Sequence, residues 1–254
     1  MNNFKRKKYW DEKYFKYHRK RIEEANVNEN NFSSITKGDA KEPSDEIYKK
    51  IIDNLKIKGG KVLDVGCAWG RWFDLFSFYN LDIYGIDISK KMVEEARKKK
   101  CEKLVEVRES EAENIPYEDN TFDYVFCLGT FDATYQNEAL KEMLRVLKVN
   151  GKLLVDGKSK SYYPDDILAR KAEEGARKKG HPNFFADVKN LKKQLENNGH
   201  IIVSEYYFPR RGDFTEFNFK KEMPANFYEY FLVIEKKTLN NNFKKFHYKY
   251  SDNN

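Results

Sequence analysis

The chain reads as an α/β protein with a doubly wound, mostly parallel sheet. Three observations predict it. From residue 61 to 157, short apolar strands alternate with amphipathic helical stretches, the rhythm of parallel βαβ units. The first strand, KVLDVG, runs into a bare backbone turn, CAWG, of the kind found where a strand hands over to a helix beside a ligand. The second strand, LDIYGID, ends in a carboxylate, Asp87. With 254 residues, 40% hydrophobic and 15% aromatic, the chain is long enough for one large core with appendages.

Taken in order, Trp10, Tyr14 and Tyr17 recur at helical spacing and predict an amphipathic helix over 8–23, followed by a loop over 24–43. Residues 1–43 thus form an N-terminal helical or lid extension. Pro43 and Ser44 start a helix over 44–56, with Asp45 and Glu46 in its first turn and Tyr48, Ile51, Ile52 and Leu55 facing inward. The strand at 61–66 leads to a helix over 70–79, whose N-terminus is expected to offer unpaired N–H groups to an anion. The strand at 81–87 leads to a helix capped by Ser89, with Met92, Val93 and Ala96 inward. Strands follow at 103–109 and 122–129. The next helix buries Leu140, Met143, Leu144 and Leu147 and closes at Gly151, before a strand at 152–157. Helices from Asp165 to Lys179 and from Ala186 to Asn198 come next. Strands at 200–208 and 226–236 flank a polar connection over 209–225, and 238–254 reads as a mobile tail. The main domain spans 44–237.

The chain carries a formal charge of +7, with lysine the dominant cation. Specific nucleic-acid readers lean on arginine forks, so the charge is read as solvated helix faces. Cys67, Cys101 and Cys127 are odd in number and far apart, which predicts reduced thiols and a cytoplasmic setting. No apolar run reaches the roughly 20 residues of a membrane span, and no apolar stretch follows the basic N-terminus, so no secretory leader is expected. No metal-ligand spacing appears.

Three ligands use a bare turn after a first strand. The lysine-bearing phosphate loop of nucleoside triphosphate binders is absent, and GCAWG with Arg71 behind it matches the dinucleotide spacing poorly. The third ligand is S-adenosylmethionine. VLDVGCAWG resembles the first motif of class I S-adenosylmethionine-dependent methyltransferases, with Ala68 at the middle glycine position. YGIDIS, SEAENIPYEDNTFDYVFCLG and ALKEMLRVLKVNGKLLV resemble the motifs that follow, in order and at normal spacing.

The resemblance implies a seven-stranded sheet with one antiparallel strand from the last hairpin. It implies a cofactor site in which Asp64 orients the methionine end and Gly66, Cys67, Ala68 and Gly70 line it. Asp87 accepts from the ribose hydroxyls, and Ile88 and Met92 flank the adenine. Glu111 and Ala112 meet the adenine amine, and Cys127 and Leu128 close the active end of the fourth strand. The product is S-adenosylhomocysteine. The strand end CLGT lacks the Asn/Asp-Pro-Pro-aromatic block of base-amine methylation and the Pro-Cys pair of cytosine-carbon methylation. The core most resembles small-molecule methyltransferases, and that resemblance implies a small-molecule oxygen or nitrogen as the leading acceptor. RNA or protein methylation, and noncatalytic cofactor binding, are the alternatives. Asp132, Tyr135 and His18 are the candidate catalytic groups, and Arg210 and Arg211 the candidates to grip an acidic acceptor.

Overall fold

A computed structural model describes residues 3–16, 44–181 and 183–249. Tyr17, His18 and the expected loop over 24–43 lie outside the described residues. The sheet is built from β1 (Gly60–Val65), β2 (Leu81–Asp87), β3 (Leu104–Glu109), β4 (Phe122–Cys127) and β5 (Leu147–Ser159). It is extended by β6 (Phe184–Ala186), β7 (Ile201–Phe208), β8 (Glu229–Glu235) and β9 (His247–Lys249). The five strands β3-β2-β1-β4-β5 are parallel neighbours. On the far side of β5, β8 pairs antiparallel, and β7 pairs antiparallel with β8. These seven strands form the doubly wound sheet that the sequence predicts, with β8 as the reversed strand.

Helices cover both faces, and all but the short basic α1 do so through apolar residues. They are α1 (Asn3–Lys8), α2 (Ser44–Asp53), α3 (Phe73–Phe78), α4 (Lys90–Lys98), α5 (Gln136–Val146), α6 (Ile167–Lys179) and α7 (Val188–Asn197). Two core layers result. One holds α5 and α7 against the sheet through Leu140, Met143, Leu191 and Leu195; the other holds α2 and α3 through Ile47, Ile51, Phe73 and Phe76. The helix starts follow side-chain caps. Ser89 Oγ accepts from Met92 N–H at 3.3 Å, Asp166 from Ala169 N–H at 2.9 Å, and Asp187 from Asn190 N–H at 3.0 Å.

Several boundaries differ from expectation. The first helix starts earlier, at Asn3, and passes into a π-helical turn at Tyr9–Tyr14. The helix expected over 70–79 forms only from Phe73, because the loop before it closes its own turn. The helix expected to end at Gly151 stops at Val146. Leu147 starts β5, which bulges out of register with β4 before Lys152, where Asn150 adopts φ +66.

The largest correction concerns 238–254. Its described part is not a loose tail. Residues 240–249 return to the sheet, where β9 pairs antiparallel with β6, and β6 pairs parallel with the end of β5. Phe243 and Phe246 are buried in the α5 layer. Asn198 holds the returning chain by accepting from Asn242 N–H at 2.8 Å and donating to its carbonyl at 3.1 Å. No helix of the described residues is long and apolar enough to cross a membrane.

Phe246 is fully buried although it sits in a polar, lysine- and asparagine-rich stretch. Phe246→Ala is expected to destabilise the protein by about 3–5 kcal/mol. Urea denaturation followed by circular dichroism checks this, since a loose tail would leave the midpoint unchanged.

Candidate functional site

The carboxyl ends of β1, β2 and β4 converge where a doubly wound sheet holds its ligands. After Val65 the chain turns over β2: Gly66 N–H and Cys67 N–H both donate to Ile86 O, at 2.8 and 3.0 Å. Gly66 adopts φ +78, and a Cβ there would come within 2.3 Å of the Thr130 side chain. The missing side chain thus lets the tip of β4 close on β1. Gly70, also at φ +78, turns the loop so that its own N–H and that of Arg71 return to Cys67 O at 2.9 and 3.4 Å. These donors, expected to be open to an anion, are spent inside the loop. Lys99, at the end of α4, donates to Gly70 O at 2.8 Å and braces the turn.

Asp87 ties this loop to the next helix. Its Oδ2 accepts from Ala68 N–H at 2.9 Å and its Oδ1 from Ser89 N–H at 2.8 Å. An ionised carboxylate has about four lone-pair sites, so each oxygen keeps acceptor capacity. Burial pushes Asp87 up to about 6, against the two backbone donors that favour its charge. Asp64, just before the turn, is 1% exposed, and neither of its oxygens has a hydrogen-bond partner among the described residues. Burial, with the nearby Asp87 charge, holds its carboxyl well above the usual range. A buried acceptor with no donor is costly, and it fits a site whose donor arrives with a ligand.

The other expected cofactor residues gather around this crevice. Met92 is buried and Ile88 half-buried next to the Ser89 cap. Glu111 and Ala112 follow β3, which lies beside β2. Cys127 and Leu128 are buried at the end of β4. Both thiols pack in the core, and burial raises Cys67 and Cys127 well above their ordinary value.

The N-terminal segment lies across the same edge. Arg6 makes a two-pronged contact with Glu113 at 2.7 and 2.6 Å, with side chains only 4% and 9% exposed. Glu113 also accepts from Tyr135 N–H at 2.6 Å, and the Arg6 guanidinium lies 4.8 Å above the Tyr135 ring. Lys7 bonds Glu109 at the end of β3. Asp11 accepts from Ser89 Oγ at 2.6 Å. Tyr9 and Trp10 pack edge-on to His181, with centroids 5.2 and 5.0 Å away.

Of the candidate catalytic groups, His18 lies outside the described residues. Asp132 is paired with Lys158 at 2.9 Å, and Tyr135 belongs to the N-terminal contact. Arg210 pairs with exposed Asp165, while Arg211 donates to Tyr228 Oη at 2.7 Å. Sequence reading missed Asp156. It ends the run LLVD on β5 as Asp64 and Asp87 end theirs, and that shared position was the available signal. Its Oδ1 accepts from Gly129 N–H at 2.6 Å and its Oδ2 from the Tyr48 hydroxyl, while burial pushes it up to about 7. Glu113 and Glu229 were missed too: the Arg6 partner of Glu113 is remote in sequence, and Glu229 sits within an apolar strand run.

Ala68 adopts φ +48, a left-handed conformation that costs an L-residue about 1–2 kcal/mol. Ala68→Gly removes that strain at some cost in chain entropy. A net gain of about 0.5–1 kcal/mol and a Tm rise of roughly 1–4 °C are expected by thermal melting.

Comparison with known proteins agrees with this geometry. The family model described as "Methyltransferase domain" matches residues 63–155, from within β1 to within β5. A demethylmenaquinone methyltransferase of Bacillus mycoides is 39% identical over 104 residues, which is 38% of this chain and 44% of that protein. The uncharacterized methyltransferase YcgJ of Bacillus subtilis is 36% identical over 111 residues, 42% of each. The matches therefore span less than half the length of these curated relatives. Among solved structures, magnesium protoporphyrin IX methyltransferase of Synechocystis, with bound S-adenosylhomocysteine, superposes with a TM-score of 0.62 at 15% identity. That superposition covers 92% of this chain and 99% of the other. Residues 63–155 are thus similar to a methyltransferase domain, and the fold of the chain is that of solved methyltransferases.

Proposed function

We propose that this protein transfers the methyl group of S-adenosylmethionine to an oxygen or nitrogen of a small-molecule acceptor. The observation that carries the reading is the pair of strand-end carboxylates, Asp64 and Asp87, flanking a loop whose Ala68 N–H is already bonded to Asp87. The residues fit the cofactor. The orphaned Asp64 carboxyl suits a cationic amine, and the remaining capacity of Asp87 suits two hydroxyls. Ile88 and Met92 offer an apolar wall, and Glu111 with Ala112 offers an edge for an adenine. When bound, the cofactor supplies an electrophilic methyl group on a sulfonium.

The protein's part is then to hold, orient and dry the reactants, and such positioning can supply roughly 7–11 kcal/mol of the barrier. The N-terminal segment excludes water from the crevice edge through Arg6, Lys7 and Asp11. Asp156 fixes the tip of β4 by holding Gly129 N–H, and so sets the distance between the β4 and β5 ends, where the acceptor sits. A small-molecule acceptor is supported by the dense side-chain cluster on this edge.

The reading is tested by incubating the protein with methyl-labelled S-adenosylmethionine and a cell extract split into small-molecule, RNA and protein fractions. Label in the small-molecule fraction supports it. Label confined to RNA or protein replaces the acceptor class, and cofactor binding without label in any fraction favours a noncatalytic binding protein.

Asp87→Ala is expected to weaken S-adenosylmethionine binding at least about tenfold, since a hydrogen bond to a charged group contributes about 1.5–3 kcal/mol. Asp87 must be ionised to accept from both hydroxyls. Its raised value of about 6 therefore predicts that affinity tightens as pH rises from 5 to 7. For the free protein the sign is opposite. The contribution of Asp87 to stability is full below its ordinary carboxylate range and is lost as pH rises through about 6. Calorimetric titration across that range checks the affinity, and the pH-dependent step is expected to vanish in Asp87→Ala.

A further inference from the structure

The ends of β5 and β8 carry a buried cluster of charges. Lys158 and Glu229 are cross-strand partners, as are Asp156 and Phe231. Residues two apart on a strand share a face, so Asp156, Lys158 and Glu229 look the same way. Most of the cluster is internally matched. Lys158 is held by Asp132 at 2.9 Å and by Glu173 at 3.3 Å. Tyr228 donates to Glu173 at 2.5 Å and accepts from Arg211. Asp156 accepts from Gly129 N–H and the Tyr48 hydroxyl.

Glu229 is the exception. Its Oε2 is buried, and no described residue donates to it. The next residue, Tyr230, is fully buried with an equally unpartnered hydroxyl, packed so close over Gly157 that a Cβ there would lie 2.9 Å away. Burial raises Glu229 to about 7. Arg211 and Lys158 pull it down, while Asp156 and Asp132 push it up.

The unmet demand is therefore for a hydrogen-bond donor, preferably a positive one. A phosphate or carboxylate acceptor would meet these carboxylates with Lys158 already held by Asp132 and Glu173 and Arg211 bonded to Tyr228. A hydroxyl brings one donor, whereas an ammonium brings up to three N–H groups. Resting on the methyl-transfer reading above, we propose that the acceptor is an amine-bearing small molecule and that Glu229 binds its nitrogen and takes its proton. The acceptor ammonium gives one proton to the Glu229 carboxylate, leaving a neutral amine with its lone pair. That pair forms the new N–C bond to the methyl carbon. The C–S bond breaks with its electrons staying on sulfur, giving neutral S-adenosylhomocysteine thioether and a methylated ammonium. The Glu229 proton then leaves to solvent. Glu229 is thus a catalytic residue, and Arg211 and Lys158 tune it.

The test uses the full chain, methyl-labelled S-adenosylmethionine, and a small-molecule extract separated by ion exchange into cationic, neutral and anionic fractions. Label is expected in the cationic fraction, falling at least about tenfold in Glu229→Gln and partly restored in Glu229→Asp. S-adenosylhomocysteine binding is expected to stay within about twofold in both variants, as read by calorimetry. In a separate binding readout, the cationic fraction is expected to raise the Tm of the S-adenosylhomocysteine-loaded wild type and not of Glu229→Gln. Label in neutral or anionic compounds overturns the inference, as does full amine methylation by Glu229→Gln. Absence of label from every fraction by a protein that binds the cofactor counts against it as well. A wild type that binds no cofactor fails the underlying reading instead. Glu229→Gln keeps the side-chain volume, and circular dichroism confirms that the variants fold.

Discussion

The contact on which the site depends is the grip of Asp87 on two backbone N–H groups, Ala68 on one side and Ser89 on the other. It joins the turn after β1 to the start of α4 and fixes how far apart they stand. With the two bonds from Gly66 and Cys67 to Ile86 O, it holds the turn in one shape. That shape explains the left-handed backbone at Gly66, Ala68 and Gly70, and also why the following helix begins only at Phe73. On the proposed reading a small change in Asp87 acts on the cofactor and on the loop at once.

Around that contact the protein keeps carboxyl groups where folding alone would not choose them. Asp64, Asp87, Asp156 and Glu229 are each driven upward by burial; the three aspartates stand near the carboxyl ends of β1, β2 and β5, and Glu229 opens the antiparallel β8 beside the end of β5. Desolvated acids in a crevice weaken the free protein and strengthen whatever cationic or donor-rich ligand they meet. Two of them face the expected cofactor end and two the end where β5 and β8 meet. On the proposed reading the edge divides into a cofactor half and an acceptor half, with Gly129 and the tip of β4 between them. The N-terminal segment reaches the cofactor half through Arg6 and Asp11, whose partners Glu113 and Ser89 belong to the loop after β3 and to the α4 cap.

How much of this was legible in the sequence depended on range. The parallel strands and their helices were legible because each repeats an apolar period within about ten residues. Asp64, Gly66 and Asp87 were legible because strand, turn and acid are contiguous. The Arg6–Glu113 contact was not, since it joins residues 107 positions apart through a hydrogen bond no local pattern encodes. β6 and β9 were missed because three-residue strands carry no period of their own. Phe243 and Phe246, scattered among lysine and asparagine, looked like tail until β6 gave them a surface. Glu229 sits inside an apolar strand run, where a carboxylate reads as an outward-facing residue. Only the register with Lys158 shows that it faces the cluster.

The central claim is that the crevice between Asp64 and Asp87 is shaped for S-adenosylmethionine rather than for a dinucleotide with the same strand-end acid. Calorimetric titration of the protein with S-adenosylmethionine and, separately, with NAD tests it most directly. Saturable one-to-one binding of S-adenosylmethionine, with no measurable heat from NAD at the same concentrations, is the predicted result. Binding of NAD in preference to S-adenosylmethionine would contradict the account.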